Sequence, residues 1–123
     1  KENIEVYGDN YDTKDGTGVR DYIHVMDLAD AHVKAIDYLD KFSGIDIFNL
    51  GTGNGFSVLE LIDSFEKVTG QSINMKIMER RDGDVSCCYA DPSKANNILS
   101  WKTKMDLREM CISAWDFEKN NKI

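Results

Sequence analysis

The chain is punctuated by glycine between β-prone and amphipathic segments. The clearest case is residues 45–70, where an apolar run ends at Gly51, Gly53 and Gly55 before a stripe of Val58, Leu61, Ile62, Phe65 and Val68. That stripe has helical spacing, Ser57 and Glu60 stand three apart as a capping box, and Gly70 ends the pattern. A strand, a tight turn and a helix in that order confine the fold to the α/β class. Further strands are predicted over residues 4–7, 19–25, 73–78 and 85–90. Asp27 is the predicted N-cap of a helix to about Asp40, Asp91 with Pro92 opens a short helix to about Leu99, and Asp106 with Glu109 caps a last one. Residues 9–18, rich in Asp, Gly, Asn and Thr, read as a loop of the kind that lines sites.

With 123 residues there is room for one domain, residues 1–123, with no linker or repeat. The strands are too few and scattered to close a sheet, so a partner segment is expected. The chain starts at Lys1 rather than Met and its apolar pattern opens at once, which suggests a piece cut from a longer protein. A net charge of −7 argues against nucleic acid, whose binding needs a cationic footprint. Any anionic ligand must meet a few local arginines. No apolar run approaches the roughly 18 residues that a membrane span requires, and a cytoplasmic location is the default expectation. Three cysteines, two of them adjacent at Cys87 and Cys88, form no paired framework and suit a reducing compartment, with Cys111 a small core residue. Neither they nor His24 and His32 have the spacing of metal ligands, and neither histidine has a catalytic partner at motif spacing.

The Gly51–Gly55 turn invites a dinucleotide-binding reading, because backbone N–H groups at a helix start can cradle a pyrophosphate. Its spacing is Gly-x-Gly-x-Gly, however, and no acidic residue ends a second strand some 20 positions on. The turn is expected to be structural, seating the following helix, with no cofactor-binding residues in it.

Other segments are more specific. The run from Asp15 through Arg20-Asp21-Tyr22-Ile23-His24-Val25 to Ala35 resembles the carboxyl-terminal half of UDP-glucose 4-epimerases, in the extended short-chain dehydrogenase/reductase superfamily. So do Phe48-Asn49-Leu50-Gly51-Thr52-Gly53 with Ser57 and Val58, Arg80-Arg81-Asp82-Gly83-Asp84, Tyr89-Ala90-Asp91-Pro92-Ser93-Lys94 and Leu99-Ser100-Trp101. The resemblance covers essentially the whole chain. It implies a mixed α/β, carboxyl-terminal substrate-binding part of a Rossmann-like NAD(P)-binding fold, incomplete without its amino-terminal half.

By that resemblance Arg20 and Arg81 contact the substrate diphosphate. The chemistry agrees, since a guanidinium presents a planar fork of donors to phosphate oxygens. From residues alone, the plain reading of Arg20 is a surface ion pair with Asp21 or Asp27, and that of Arg80 with Arg81 a solvated loop pair. Asp84 matches a carboxylate that accepts from the ribose hydroxyls; its plain alternative is a turn residue after Gly83. Tyr22 and Val58 match positions packed near the nucleotide, and Tyr22 is otherwise a core aromatic. Cys88 falls beside the sugar, where the family varies between a bulky aromatic and a smaller residue, so a thiol implies room for N-acetylated hexoses.

The family reaction passes a hydride from the sugar to bound NAD and back, with a tyrosine of a Tyr-x-x-x-Lys motif as base. None of the five tyrosines in this chain has a lysine four residues on. No catalytic residue is therefore expected within it. The implied whole is an NAD-dependent isomerase of galactose metabolism acting on UDP-glucose and UDP-galactose, with UDP-N-acetylhexosamines as further partners, and a homodimer. Competing readings are another nucleotide-sugar epimerase, decarboxylase or dehydratase, or a non-catalytic nucleotide-sugar-binding module.

Overall fold

A computed structural model describes residues 3–121. Among these residues five strands and four helices follow one another as β1 (Ile4–Tyr7), β2 (Val19–Arg20), α1 (Val25–Leu39), β3 (Phe56–Ser57), α2 (Val58–Thr69), β4 (Met75–Met78), β5 (Cys87–Cys88), α3 (Ser93–Ile98) and α4 (Leu107–Asn120). β1 and β4 pair in parallel, Ile4 with Met75 through Tyr7 with Met78. β2 is the centre of a second sheet, antiparallel to β3 and parallel to β5.

The helix ends follow local chemistry. Ser57 Oγ accepts from Glu60 N at 3.0 Å while Glu60 returns a bond to Ser57 N at 2.9 Å. Asp106 and Glu109 make the same reciprocal pair, both bonds 2.8 Å, at the start of α4. Gly70 closes α2 with φ +67°, a left-handed cap that a side chain disfavours. α2 and α4 pack face to face, with Phe65 edge-on to Trp115 at 5.8 Å and Cys111 buried against Ser64.

Other expectations need correction. α1 begins three residues earlier than expected, and its N-cap is His24, whose Nδ1 accepts from Met26 N at 3.0 Å. Asp27 lies in the first turn, buried, because distant donors claim it. Its Oδ2 accepts from Lys104 N and Met105 N, both at 3.0 Å, and its carbonyl takes the Trp101 indole N–H at 2.9 Å. The predicted strand 19–25 shrinks to two residues, since its flanking strands β3 and β5 are themselves only two residues long. Residues 45–50 form no strand; neither sheet reaches them. Tyr38 Oη donates to Asp46 at 2.9 Å and Lys94 Nζ to Ile47 O at 2.9 Å in place of a ladder. α3 starts at Ser93, after an Asp91 side chain that accepts from Ser93 N at 3.0 Å.

The core gathers Ala31, Ala95, Leu99 and Trp101, with Phe48 and Leu50 packed against it. Beside it lies an open apolar groove of about 810 Å³ between α2, α4 and the start of β1, lined by residues such as Leu61, Phe65, Met110 and Phe117. Among the described residues no helix is long and apolar enough to cross a membrane.

Candidate functional site

The loop between β1 and β2 delivers Arg20 to its place, and a carboxylate shapes that loop. Asp15 accepts from Thr17 N at 2.9 Å, Thr17 Oγ1 at 2.7 Å and the Ser57 hydroxyl. Thr17 is fully buried, and Thr13 Oγ1 donates to its carbonyl at 2.7 Å. At Gly16, with φ +82°, a Cβ would sit 2.0 Å from the Asp9 carbonyl oxygen, so only glycine permits the fold-back. The loop is thereby fastened to the first turn of α2.

After β4 the chain presents two arginines that part company. Arg80 is committed to structure: its guanidinium lies 4.0 Å over the Tyr11 ring, Nε donates to Asn10 Oδ1 at 2.6 Å, and Nη2 donates to the Asn10 carbonyl. Arg81 lies 4.6 Å over the Tyr7 ring and sends Nε and Nη2 to Asp84 Oδ2, each at 3.0 Å. Its side chain is more than half exposed. Arg20 turns Nη1 to the carbonyl of Val19 at 2.8 Å.

Five of the six residues singled out from the sequence line one cavity of about 280 Å³: Arg20, Tyr22, Val58, Arg81 and Asp84. Tyr7, Tyr11 and Glu5 line it too. Cys88 is not in that lining. It is exposed on β5, where register sets it beside Arg20. Burial pushes the Tyr22 phenol pKa up, against the lowering effect of Arg20. Tyr7 and Tyr11 were missed because nothing local marks them. Tyr7 is one aromatic at a strand end and Tyr11 one aromatic in a polar loop, and only the fold brings them under the two arginines. The Tyr11 hydroxyl is buried without a hydrogen-bond partner, while the Tyr7 hydroxyl donates to Glu5 at 2.8 Å.

The alternative ion pairs for Arg20 do not form, because both carboxylates are engaged elsewhere. Asp27 holds the segment before α4, and Asp21 holds the glycine turn. Asp21 Oδ1 accepts from Thr52 N at 3.0 Å and Thr52 Oγ1 at 2.7 Å; Oδ2 accepts from Gly53 N at 3.0 Å and Ala90 N at 3.2 Å. Partial burial alone would raise the Asp21 pKa, yet the bonds from Thr52, Ala90 and Gly53 carry it below the usual carboxylate value. Thr52 N and Gly53 N, which a dinucleotide pyrophosphate would need at this turn, are thus taken by the chain's own carboxylate, and Asn54 N by Thr52 Oγ1 at 3.0 Å. The turn does not fit a cofactor phosphate.

Two guanidinium groups, a carboxylate and aromatic walls around one cavity can bind a polyanion that carries a diol. They supply no nucleophile paired with a base, and among the described residues no cluster of His, Cys, Asp and Glu suits a metal ion. A family model described as GDP-mannose 4,6 dehydratase matches residues 1–113. A UDP-glucose 4-epimerase of Bacillus subtilis is 50% identical over 98% of this chain, and the match takes in 35% of that protein. The crystal structure of UDP-glucose 4-epimerase from Bifidobacterium longum in complex with NAD⁺ and UDP superposes with a TM-score of 0.94 at 50% identity, over 98% of this chain and 36% of that one. The UDP-Glc/GlcNAc 4-epimerase of Campylobacter jejuni does so with a TM-score of 0.85 at 45% identity, over 98% and 36%. The chain spans about a third of the length of these relatives. Matched over most of its length, the chain belongs to the GDP-mannose 4,6-dehydratase family and carries a partial, mixed α/β portion of the extended short-chain dehydrogenase/reductase fold that UDP-glucose 4-epimerases share.

Proposed function

We propose that this chain is the nucleotide-holding, carboxyl-terminal part of an NAD-dependent UDP-glucose 4-epimerase that interconverts UDP-galactose and UDP-glucose. The observation that carries the reading is the meeting of Arg20, Arg81 and Asp84 at one cavity. Arg20 and Arg81 neutralise the diphosphate, and Asp84 accepts from the ribose hydroxyls. Arg81 and Asp84 must part for this. Their ion pair is largely exposed on the arginine side, and such pairs contribute only about 0–1 kcal/mol. A diphosphate offers Arg81 more charge than one carboxylate, which favours the exchange.

NAD supplies the hydride chemistry and is held mainly outside this chain, by the amino-terminal half, in keeping with the filled glycine turn. The residues of this chain orient and do not react. Anchoring the nucleotide while leaving the hexose loosely held lets a keto sugar turn over between two hydride transfers. The exposed thiol of Cys88 beside Arg20 favours acceptance of UDP-N-acetylhexosamines as well, and the likeness to the Campylobacter jejuni enzyme supports it. We place the full-length enzyme in the cytoplasm, as a homodimer acting in galactose metabolism. Three free cysteines suit that compartment.

Membership of the GDP-mannose 4,6 dehydratase family favours a second reading, a nucleotide-sugar dehydratase. Identity near one half to epimerases argues for the first. In the full-length protein, Arg81→Ala is expected to raise KM for UDP-galactose about tenfold or more with a smaller change in kcat, the signature of lost ground-state binding. An unchanged KM overturns the assignment of Arg81, and release of a dehydrated 4-keto-6-deoxy sugar overturns the epimerase.

A further inference from the structure

The four bonds of Asp21 all reach donors at least 31 residues away in sequence. The β2 ladder stops at Arg20, whose register partners are Phe56 on β3 and Cys88 on β5. Past that point no backbone pairing holds the three chain segments together. The side chain of the next residue takes over, binding Thr52 and Gly53 on one side and Ala90, two residues beyond Cys88, on the other. Because successive side chains of an extended segment point to opposite faces, Asp21 reaches away from the side that Arg20 and Tyr22 present to the cavity.

Building on the nucleotide-holding reading, we propose that Asp21 is a positioning residue for the substrate: its carboxylate clamps the glycine turn and the end of β5 to β2, and so fixes Arg20 and Cys88 relative to each other. Charge matters to the clamp. An ionised carboxylate offers two acceptor oxygens to the four donors, whereas an amide offers one oxygen and sets its own N–H₂ against the remaining donors. The turn is shaped for that group. A Cβ at Gly51 would lie 2.4 Å from Asp21 Oδ2 and 2.6 Å from the Ala90 Cβ, so glycine there is what lets the carboxylate in.

The test is a double-mutant cycle in the full-length protein with KM, kcat and UDP calorimetry as readouts. Asp21→Asn is expected to raise KM for UDP-galactose about tenfold while kcat changes less than about threefold. If Asp21 acts through Arg20, the double variant with Arg20→Ala binds UDP no more weakly than Arg20→Ala alone, a non-additivity that general loosening of the fold does not produce. Effects that multiply, or an unchanged KM in Asp21→Asn, overturn the proposal. Should Arg20→Ala by itself leave KM unaltered, the nucleotide-holding reading fails instead. Thr52→Val removes one donor and keeps the backbone. It covers the case in which Asp21→Asn does not fold: the same pattern is expected at about two- to threefold, and additivity with Arg20→Ala overturns the clamp.

Discussion

Carboxylates do most of the fastening in this molecule, and their titration has a readable sign. Asp15 is partly buried, which by itself raises its pKa, yet the bonds from Ser57 and Thr17 outweigh this and hold it below the usual value. A folded-state pKa below the unfolded one contributes stability that is full above the unfolded value near 4 and is lost as pH falls through the folded value. Melting temperature followed from pH 7 to pH 2 should therefore drop less steeply below about pH 4 in Asp15→Asn than in the parent. Parallel curves for the two would contradict the role. At Cys88 the expectation concerns shape: Cys88→Tyr in the full-length protein should remove turnover of UDP-N-acetylhexosamines and spare UDP-galactose, whereas equal loss of both would show that the residue does not face the sugar. The sequence singled out Arg20, Arg81 and Asp84 through the resemblance of their motifs to the epimerases, with which guanidinium and carboxylate chemistry agrees, and the fold brings the three to one cavity. It missed Tyr7, Tyr11 and the clamp of Asp21, whose meaning arises only when residues such as Thr52 and Ala90 arrive from elsewhere in the chain.

At the scale of elements, helix ends were more legible than strands: residues 4–7 and 73–78 do form β1 and β4, but 19–25 and 85–90 shrink to two residues each and 45–50 form none. Capping boxes at Ser57 with Glu60 and at Asp106 with Glu109, and the left-handed cap at Gly70, are settled within four residues of chain, so the sequence states them directly. A strand exists only where another lies beside it. Residues 45–50 carry the right composition and remain unpaired, with Ile45 93% exposed, and His24 caps α1 because Asp27 is drawn to the segment before α4. The glycine turn is where local and distant constraints meet. Gly51→Ala forces its new methyl into Asp21 and Ala90, and neither can retreat without breaking the clamp. A destabilisation of about 2 kcal/mol or more is expected from denaturant unfolding, whereas Gly70→Ala, which meets nothing within 4 Å, costs only its φ strain of about 1 kcal/mol. Equal losses at the two positions would mean that crowding at the turn is not what requires Gly51.

At the scale of the whole molecule, sheet is scarce among the described residues. One sheet has two strands and the other three, and the α2–α4 groove leaves an apolar surface beside the site cavity, with Tyr22 and Val58 lining both. In the proposed function, that shared wall links the state of the groove to the nucleotide. If the groove stays wet, Tyr22 and Val58 are held from one side only, and part of any binding energy is spent on ordering them. This chain expressed by itself should then bind an environment-sensitive apolar dye at the groove and take up UDP at least about tenfold more weakly than the full-length protein with NAD bound. Calorimetry decides between the two kinds of molecule. Equal affinity for UDP in the isolated chain would mark an autonomous nucleotide-sugar-binding module, because Arg20, Arg81 and Asp84 would then need no support from beyond the groove.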